Sequence, residues 1–149
     1  MLTTIEKVIF LQDVDIFEFT STEDLSHIAA ITTEIEIKKN SIIYNEGDIS
    51  DAMYMIIDGI VSLRRKGVEV MEGKVKDVFG TWALFDDEPR VVSATVVEDC
   101  RLLRILKEDF IELLGEHIGI TQGVLKKMAK RLRSLVGRIG KEADSRNTH

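Results

Sequence analysis

The stretch Val78-Phe79-Gly80-Thr81-Trp82-Ala83-Leu84-Phe85-Asp86-Asp87-Glu88-Pro89-Arg90-Val91-Val92-Ser93-Ala94-Thr95-Val96 decides the reading of this chain. An apolar strand ends at Gly80, a short helix follows, and an acidic loop leads through Pro89-Arg90 into a second strand. Glycine lets the backbone turn sharply or be approached closely. The first amides of the short helix have no internal partners and can face an anion. Arg90 offers a planar fork of donors that suits a phosphate. Two readings stay open at this level. The segment is an anion pocket, or Trp82–Phe85 plugs the end of a β-barrel while Arg90 pairs with Asp86, Asp87 or Glu88.

Outward from this stretch, period-two patterns dominate residues 33–106. Glu34–Lys38 alternates strictly, as a half-buried strand does. Ser41–Tyr44, Ala52–Asp58, Ile60–Arg65, Val68–Met71, Val75–Phe79, Val91–Val97 and Arg101–Ile105 read as further strands, with turns at Gly47, Gly73 and Asp99 and an interruption at Gly59. About eight short strands with regular turns predict an antiparallel jelly-roll barrel, a double-stranded β-helix. Helices flank it. Ile5–Leu11 has helical apolar spacing, and Ser21 or Thr22 caps a second helix whose buried stripe is Leu25, Ile28, Ala29 and Ile31. After Ile105, one helix carries Phe110, Ile111, Leu113 and Leu114, and a long one runs from about Ile120 to Ile139. The expectation is a single, mainly β domain over 1–149, with N-terminal helices at 1–32, barrel at 33–106 and C-terminal helices at 107–141.

Composition sets the class. With 149 residues, 44% apolar and 31% charged, the chain has the make-up of a soluble globular domain large enough for a real core. The first residues have no basic region followed by an apolar core, and no apolar run is long enough to span a membrane. One cysteine, Cys100, suits a reducing compartment, so the expected location is cytoplasmic. The net charge of −6 is unevenly spread. Residues 1–119 carry 12 Lys/Arg against 24 Asp/Glu, whereas 120–141 carry seven basic residues and no acid. An acidic body argues against a broad nucleic-acid face.

On Phe79, Gly80, Ala83, Leu84, Pro89 and Arg90 the opening stretch resembles, without a gap, the phosphate-binding cassette of the cyclic nucleotide-binding domain family. Asn45–Asp48, Met53–Ile56 and Gly59–Val61 follow the strand and turn pattern of that family too, over roughly residues 8–135. Lys76 stands where a glycine often precedes the Asp-Val-Phe-Gly run. The resemblance implies a regulatory, ligand-sensing module with cyclic AMP or cyclic GMP as ligand and no other cofactor. It implies a pocket over cassette 79–92, made by Phe79, Gly80, Thr81, Trp82, Ala83, Leu84, Arg90, Val91 and Val92.

Three departures bear on affinity. Thr81 replaces the glutamate that in family members accepts the ribose 2′-hydroxyl, and losing one charge-assisted hydrogen bond costs about 1.5–3 kcal/mol. Val91 and Val92 replace small residues, and overpacking costs roughly 1–3 kcal/mol. The expected ligand affinity is therefore lower by on the order of 100- to 10,000-fold, with Arg90 left to hold a nucleotide or other anion. Leu135 and Val136 fall, on the final helix, where catabolite activator proteins have base-contacting polar residues, and both are apolar here.

Leu125, Met128, Leu132, Leu135 and Ile139 step by three and four, a heptad seam that predicts a homodimer through the 120–139 helix, as a long final helix does in the family. Lys126, Lys127, Lys130, Arg131, Arg133 and Arg138 are expected on its outer, solvated face. Gly140–His149 is too short for a helix-turn-helix, so direct DNA binding is not expected. Nor is catalysis. His27, His117 and His149 lie outside the strands with no metal-ligand spacing, and Ser93 and Cys100 have no neighbouring histidine. The alternative is a ligand-free interaction module of the same fold.

Overall fold

The computed structural model describes residues 1–147, and side chains as far as Lys141. The order is α1 (Thr4–Gln12), a 3-10 turn (Asp15–Phe17), α2 (Thr22–Ala30), β1 (Thr32–Ile37), β2 (Ile42–Tyr44), β3 (Ala52–Arg65), β4 (Val68–Gly73), β5 (Val78–Phe79), a second 3-10 turn (Thr81–Leu84), β6 (Ser93–Leu106), α3 (Lys107–Glu116) and α4 (Ile118–Asn147). Thr3 closes a capping box with Glu6 at the start of α1, and the Ser21 hydroxyl accepts from the Asp24 amide at the start of α2.

β3 and β6 form the antiparallel spine, from Ala52 opposite Leu106 to Arg64 opposite Ser93. β1 and β2 add to β6, while β4 and β5 add to β3. Six strands thus replace the eight expected. The reason is local. Gly59 was expected to interrupt the chain, and Asp99 to turn it. Both lie instead within continuous strands whose register shifts between Ile56 and Val61. Gly59 takes φ +97°, and a Cβ there would lie 2.4 Å from the Asp99 carbonyl oxygen, so the close approach of β6 depends on glycine. Among the described residues no ladder joins the β1/β2 edge to the β4/β5 edge, so the sheet is open and not the closed barrel that was expected. The strand expected over Val75–Phe79 shrinks to two residues, because Lys74–Asp77 is a turn in which Lys76 itself takes the positive φ, +75°.

Strand alternation explains two cores. Met53, Met55 and Ile57 point to one face, Ala52, Tyr54 and Ile56 to the other, and all are buried. The first set, with Leu103 and Ile105, packs on Leu11, Phe17, Leu25, Ile28, Phe110, Ile120 and Val124 of the helical layer. The second, with Tyr44, Val61, Phe79, Val96 and Leu102, fills the inside of the roll. Apolar residues run without alternation through Met53–Ile57 for that reason.

α4 docks by its first four turns, to Arg131. The Gly123 Cα sits so close to the body that an added Cβ would lie 2.9 Å from the Phe19 carbonyl oxygen. Lys127 bridges Asp15 at 2.8 Å and Glu18 at 2.5 Å, Lys130 reaches Glu18 at 2.8 Å, and Arg131 pairs with Asp15. Every residue from Ala129 to Lys141 is exposed.

Candidate functional site

Arg90 is held from several sides. Its amide donates to the Asp48 carbonyl at 2.9 Å and its carbonyl accepts from the Gly47 amide at 2.8 Å, which ties it to the Asn45–Asp48 turn. The side chain is only 4% exposed. Its guanidinium lies 4.0 Å from the centroid of the Tyr44 ring, and Nη2 donates to the Ala52 carbonyl at 2.8 Å. Nη2 also stands 3.6 Å from the Asp51 carboxylate. Nε is buried without a partner among the described residues. An orphaned donor on a buried cation is costly unless an acceptor completes it. The expected alternative pairing of Arg90 with Asp86, Asp87 or Glu88 is not made. Lys107 ties that loop instead, donating from Nζ to the Asp86 carbonyl at 2.5 Å and pairing with Asp87.

Gly80 makes room for the guanidinium. It adopts φ +75°, ψ 17° and caps the 3-10 turn. Behind it, Tyr54 stacks on Phe79 with centroids 5.2 Å apart, and Tyr44 lies 6.2 Å from both rings. Burial in this aromatic wall pushes the Tyr44 hydroxyl up to about 12, against a smaller opposing pull from Arg90.

A cavity of about 360 Å³ opens over Arg90. Of the expected residues, Phe79, Gly80, Thr81, Trp82, Ala83, Arg90, Val91 and Val92 line it together. Leu84 does not; it is buried in the helical core and anchors the turn. Trp82 is 66% exposed and stands at the rim. Leu135 and Val136 are also outside the lining, exposed on the projecting part of α4. Tyr44, Ser50, Leu63, Met71, Val78, Pro89 and the two acids Asp86 and Glu88 complete the wall; Tyr44, Leu63 and Met71 read from sequence as ordinary strand residues. The volume is within the usual range for small-molecule sites, and the wall is mainly apolar with one buried cation.

Two other groupings differ from expectation. Of the six basic residues expected on the outer face of α4, five are exposed and only Lys127 is buried, but several of the exposed ones engage the body. Lys127 is buried between Asp15 and Glu18, Lys126 and Lys130 lie 4.8 and 5.3 Å from the Phe19 ring centroid, and only Arg133 and Arg138 stay free of these contacts. His27 and His117, far apart in sequence, stack with centroids 3.9 Å apart, and Asp24 lies beside them. His149 is outside the described residues. Cys100 is free and buried, as a small core residue should be.

The sequence and the fold have counterparts among known proteins. Residues 34–117 match the family described as Cyclic nucleotide-binding domain. The chain is 28% identical over 116 residues to a CRP-like cAMP-activated global transcriptional regulator of Mycobacterium tuberculosis, covering 72% of this chain and 52% of the regulator. It is 32% identical over 108 residues to the cAMP-dependent protein kinase regulatory subunit of Aspergillus niger, covering 71% of this chain and 26% of the subunit. The chain thus spans about half or less of the length of these relatives. In fold it resembles the N-terminal domain of a transcriptional regulator from Streptomyces coelicolor A3(2), with a TM-score of 0.78, 24% identity, and 85% of this chain and 94% of that one covered. With a family match over more than half its length, on the strands and cassette that build the Arg90 cavity, the chain belongs to the cyclic nucleotide-binding domain family.

Proposed function

We propose that this chain is a cytoplasmic, non-catalytic regulatory module that binds a cyclic nucleotide weakly in the cavity over Arg90. The observation that carries the reading is Arg90 itself. It is a buried guanidinium with an unpartnered Nε, held by backbone at both its amide and carbonyl, beneath a cavity of ligand size. A phosphate suits such a group because it accepts several charge-assisted hydrogen bonds. The weakness follows from Thr81 and Val92 on the cavity wall, which lack a carboxylate and add bulk respectively.

A route to the helices exists. Leu84, at the end of the cassette turn, shares a core with Phe110, Ile120 and Val124, and Phe85 meets Phe110 edge-on at 5.8 Å. A ligand that fits one position of the turn better than another biases α3 and α4 accordingly. The output is a homodimer through α4. Leu125, Leu132, Leu135, Val136 and Ile139 are all more than half exposed on that helix, and that much unpartnered apolar surface favours association.

A second reading, a ligand-free interaction module, is favoured by one observation: Ala52 and Tyr44 already engage the Arg90 guanidinium. Thermal unfolding with cyclic AMP or cyclic GMP up to millimolar concentration separates the two. Weak binding gives a small rise in midpoint that Arg90→Gln abolishes. Thr81→Glu with Val92→Ala should tighten binding at least tenfold. No rise in the parent chain and none in the double variant favours the ligand-free module.

A further inference from the structure

We propose that Asp24, His27 and His117 form a binding site for a borderline divalent transition metal, Zn²⁺ being the representative, that clamps α2 to the corner between α3 and α4. His27 and His117 are brought together by the fold alone. Asp24 and His27 are three residues apart on α2 and so lie on one helix face. His117 is the single residue between α3 and α4, with φ −129° and ψ 87°. Its amide donates to the Leu113 carbonyl at 2.9 Å and its carbonyl accepts from Ile120 at 3.1 Å, so its Cα is fixed at both sides.

The donor atoms of the three side chains all lie within 4.8 Å of one another, and all three residues are half-buried. The imidazoles stack with 17° between their planes. The Asp24 carboxylate reaches towards the first turn of α4. A Cβ on Gly119 would fall 2.6 Å from Asp24 Oδ2, so a glycine there keeps the space for the carboxylate. Two imidazoles and one carboxylate are the donor set that Zn²⁺, Cu²⁺ and Ni²⁺ take, and one that Mg²⁺ and Ca²⁺ do not favour. Three protein ligands leave the fourth tetrahedral position to water. Bonds of 2.0–2.1 Å set tetrahedral donors ~3.4 Å apart, so binding needs the stack to open into a V and the carboxylate to swing in. All three side chains are half-buried, and His117 lies at the corner between two helices, where rotamer changes can supply that movement. A stacked imidazole pair needs no carboxylate within reach, whereas a metal uses all three groups. The site shares no residue with the cavity over Arg90.

The test uses the full chain, stripped with chelator and titrated with ZnCl₂ by calorimetry. One equivalent should bind. His27→Gln or His117→Gln should weaken binding at least tenfold, Asp24→Asn should weaken it less, and His149→Ala should leave it unchanged. His117→Phe keeps an aromatic ring in the stack and removes the donor, so it should fold as the parent does and still lose the metal. Co²⁺ in place of Zn²⁺ should give the intense visible bands of a tetrahedral centre, and Mg²⁺ should not compete. Binding as tight in His27→Gln and His117→Phe as in the parent, or loss of binding in His149→Ala alone, overturns the proposal. So does a parent chain that takes up no Zn²⁺.

Discussion

Gly80→Ala tests whether Arg90 is held by the geometry described. Two costs arise. Gly80 sits at φ +75°, ψ 17°, and a side chain in the left-handed region costs about 1–2 kcal/mol. The added Cβ would also lie 2.7 Å from Arg90 Nη1 and 3.0 Å from the Ala52 carbonyl oxygen. The guanidinium must move, because Ala52 is main chain within the β3 spine. Moving it breaks the 2.8 Å bond from Nη2 to that oxygen, and a hydrogen bond to a charged group contributes about 1.5–3 kcal/mol. The expected loss is about 2.5–5 kcal/mol. Gly47→Ala is the control. Its φ is +83° but nothing lies within 4 Å of the new Cβ, so it should lose only about 1–2 kcal/mol. Urea unfolding at unchanged m measures both. A double-mutant cycle with Arg90→Met isolates the steric part, which should shrink once the guanidinium is gone. Equal losses in Gly80→Ala and Gly47→Ala, or the same Gly80→Ala loss with and without Arg90, would refute the reasoning.

The ion cluster under α4 should give Lys127→Met a pH signature. Hydrogen bonds from Arg131 and Lys127 hold Asp15 below the usual carboxylate range, those from Lys127 and Lys130 do the same for Glu18, and bonds to Asp15 and Glu18 raise Lys127. Lowered carboxylates stabilise the fold above their unfolded range and stop doing so as pH falls through the folded values, while a raised lysine stabilises below its usual value and fails only above the raised one. The midpoint difference between parent and Lys127→Met should therefore be full between the ordinary carboxylate and lysine ranges and should shrink as pH falls below the ordinary carboxylate range of about 4. A difference that persists in acid would mean that the lysine acts by packing alone. If the proposed α4 dimer forms, the parent sediments as a dimer and Leu132→Asp with Leu135→Asp, both on the exposed half of α4, as a monomer, while the unfolding midpoint of the body hardly changes; a parent that sediments as a monomer refutes the helix pair. Phe110→Ala removes a fully buried ring that meets Phe17 at 6.2 Å and Phe85 at 5.8 Å, and should cost about 3–5 kcal/mol in chemical unfolding.

What could be read from the residues depended on how far apart the interacting groups lie. Ser21 capping α2, the alternation in Glu34–Lys38 and the run Phe79–Arg90 are signals carried within a few residues, and each corresponds to an observed element. Gly59 and Asp99 misled because a glycine or a polar residue inside a strand marks a bend as readily as an end, and only the β3–β6 register distinguishes the two. Tyr44 and Met71 escaped notice as cavity walls since nothing local separates a strand residue facing a ligand from one facing a core. Spacing along the chain does not bring His27 and His117 together for the same reason, since an α2 face and a helix corner meet only in the fold.

The basic residues of α4 show the principle most sharply. A charged helix face is the same string of letters whether water, a partner or the chain's own body neutralises it. Here the neutralising acids lie 109, 112 and 116 residues upstream, in the pairs Lys127–Glu18, Lys130–Glu18 and Arg131–Asp15. That pairing divides the helix. Up to Arg131 its charges are used to latch it against the Asp15–Glu18 turn, and its glycines let it lie close. From Leu132 to Ile139 the described structure supplies no acid to Arg133 or Arg138 and no cover for Leu132, Leu135, Val136 and Ile139. The proposed partner helix would add there, and docking there would leave the latch untouched. A shift of α4 under the proposed ligand binding would instead strain the Lys127 cluster, so Lys127→Met should alter the coupling between cavity and helix as well as loosen α4 on the body.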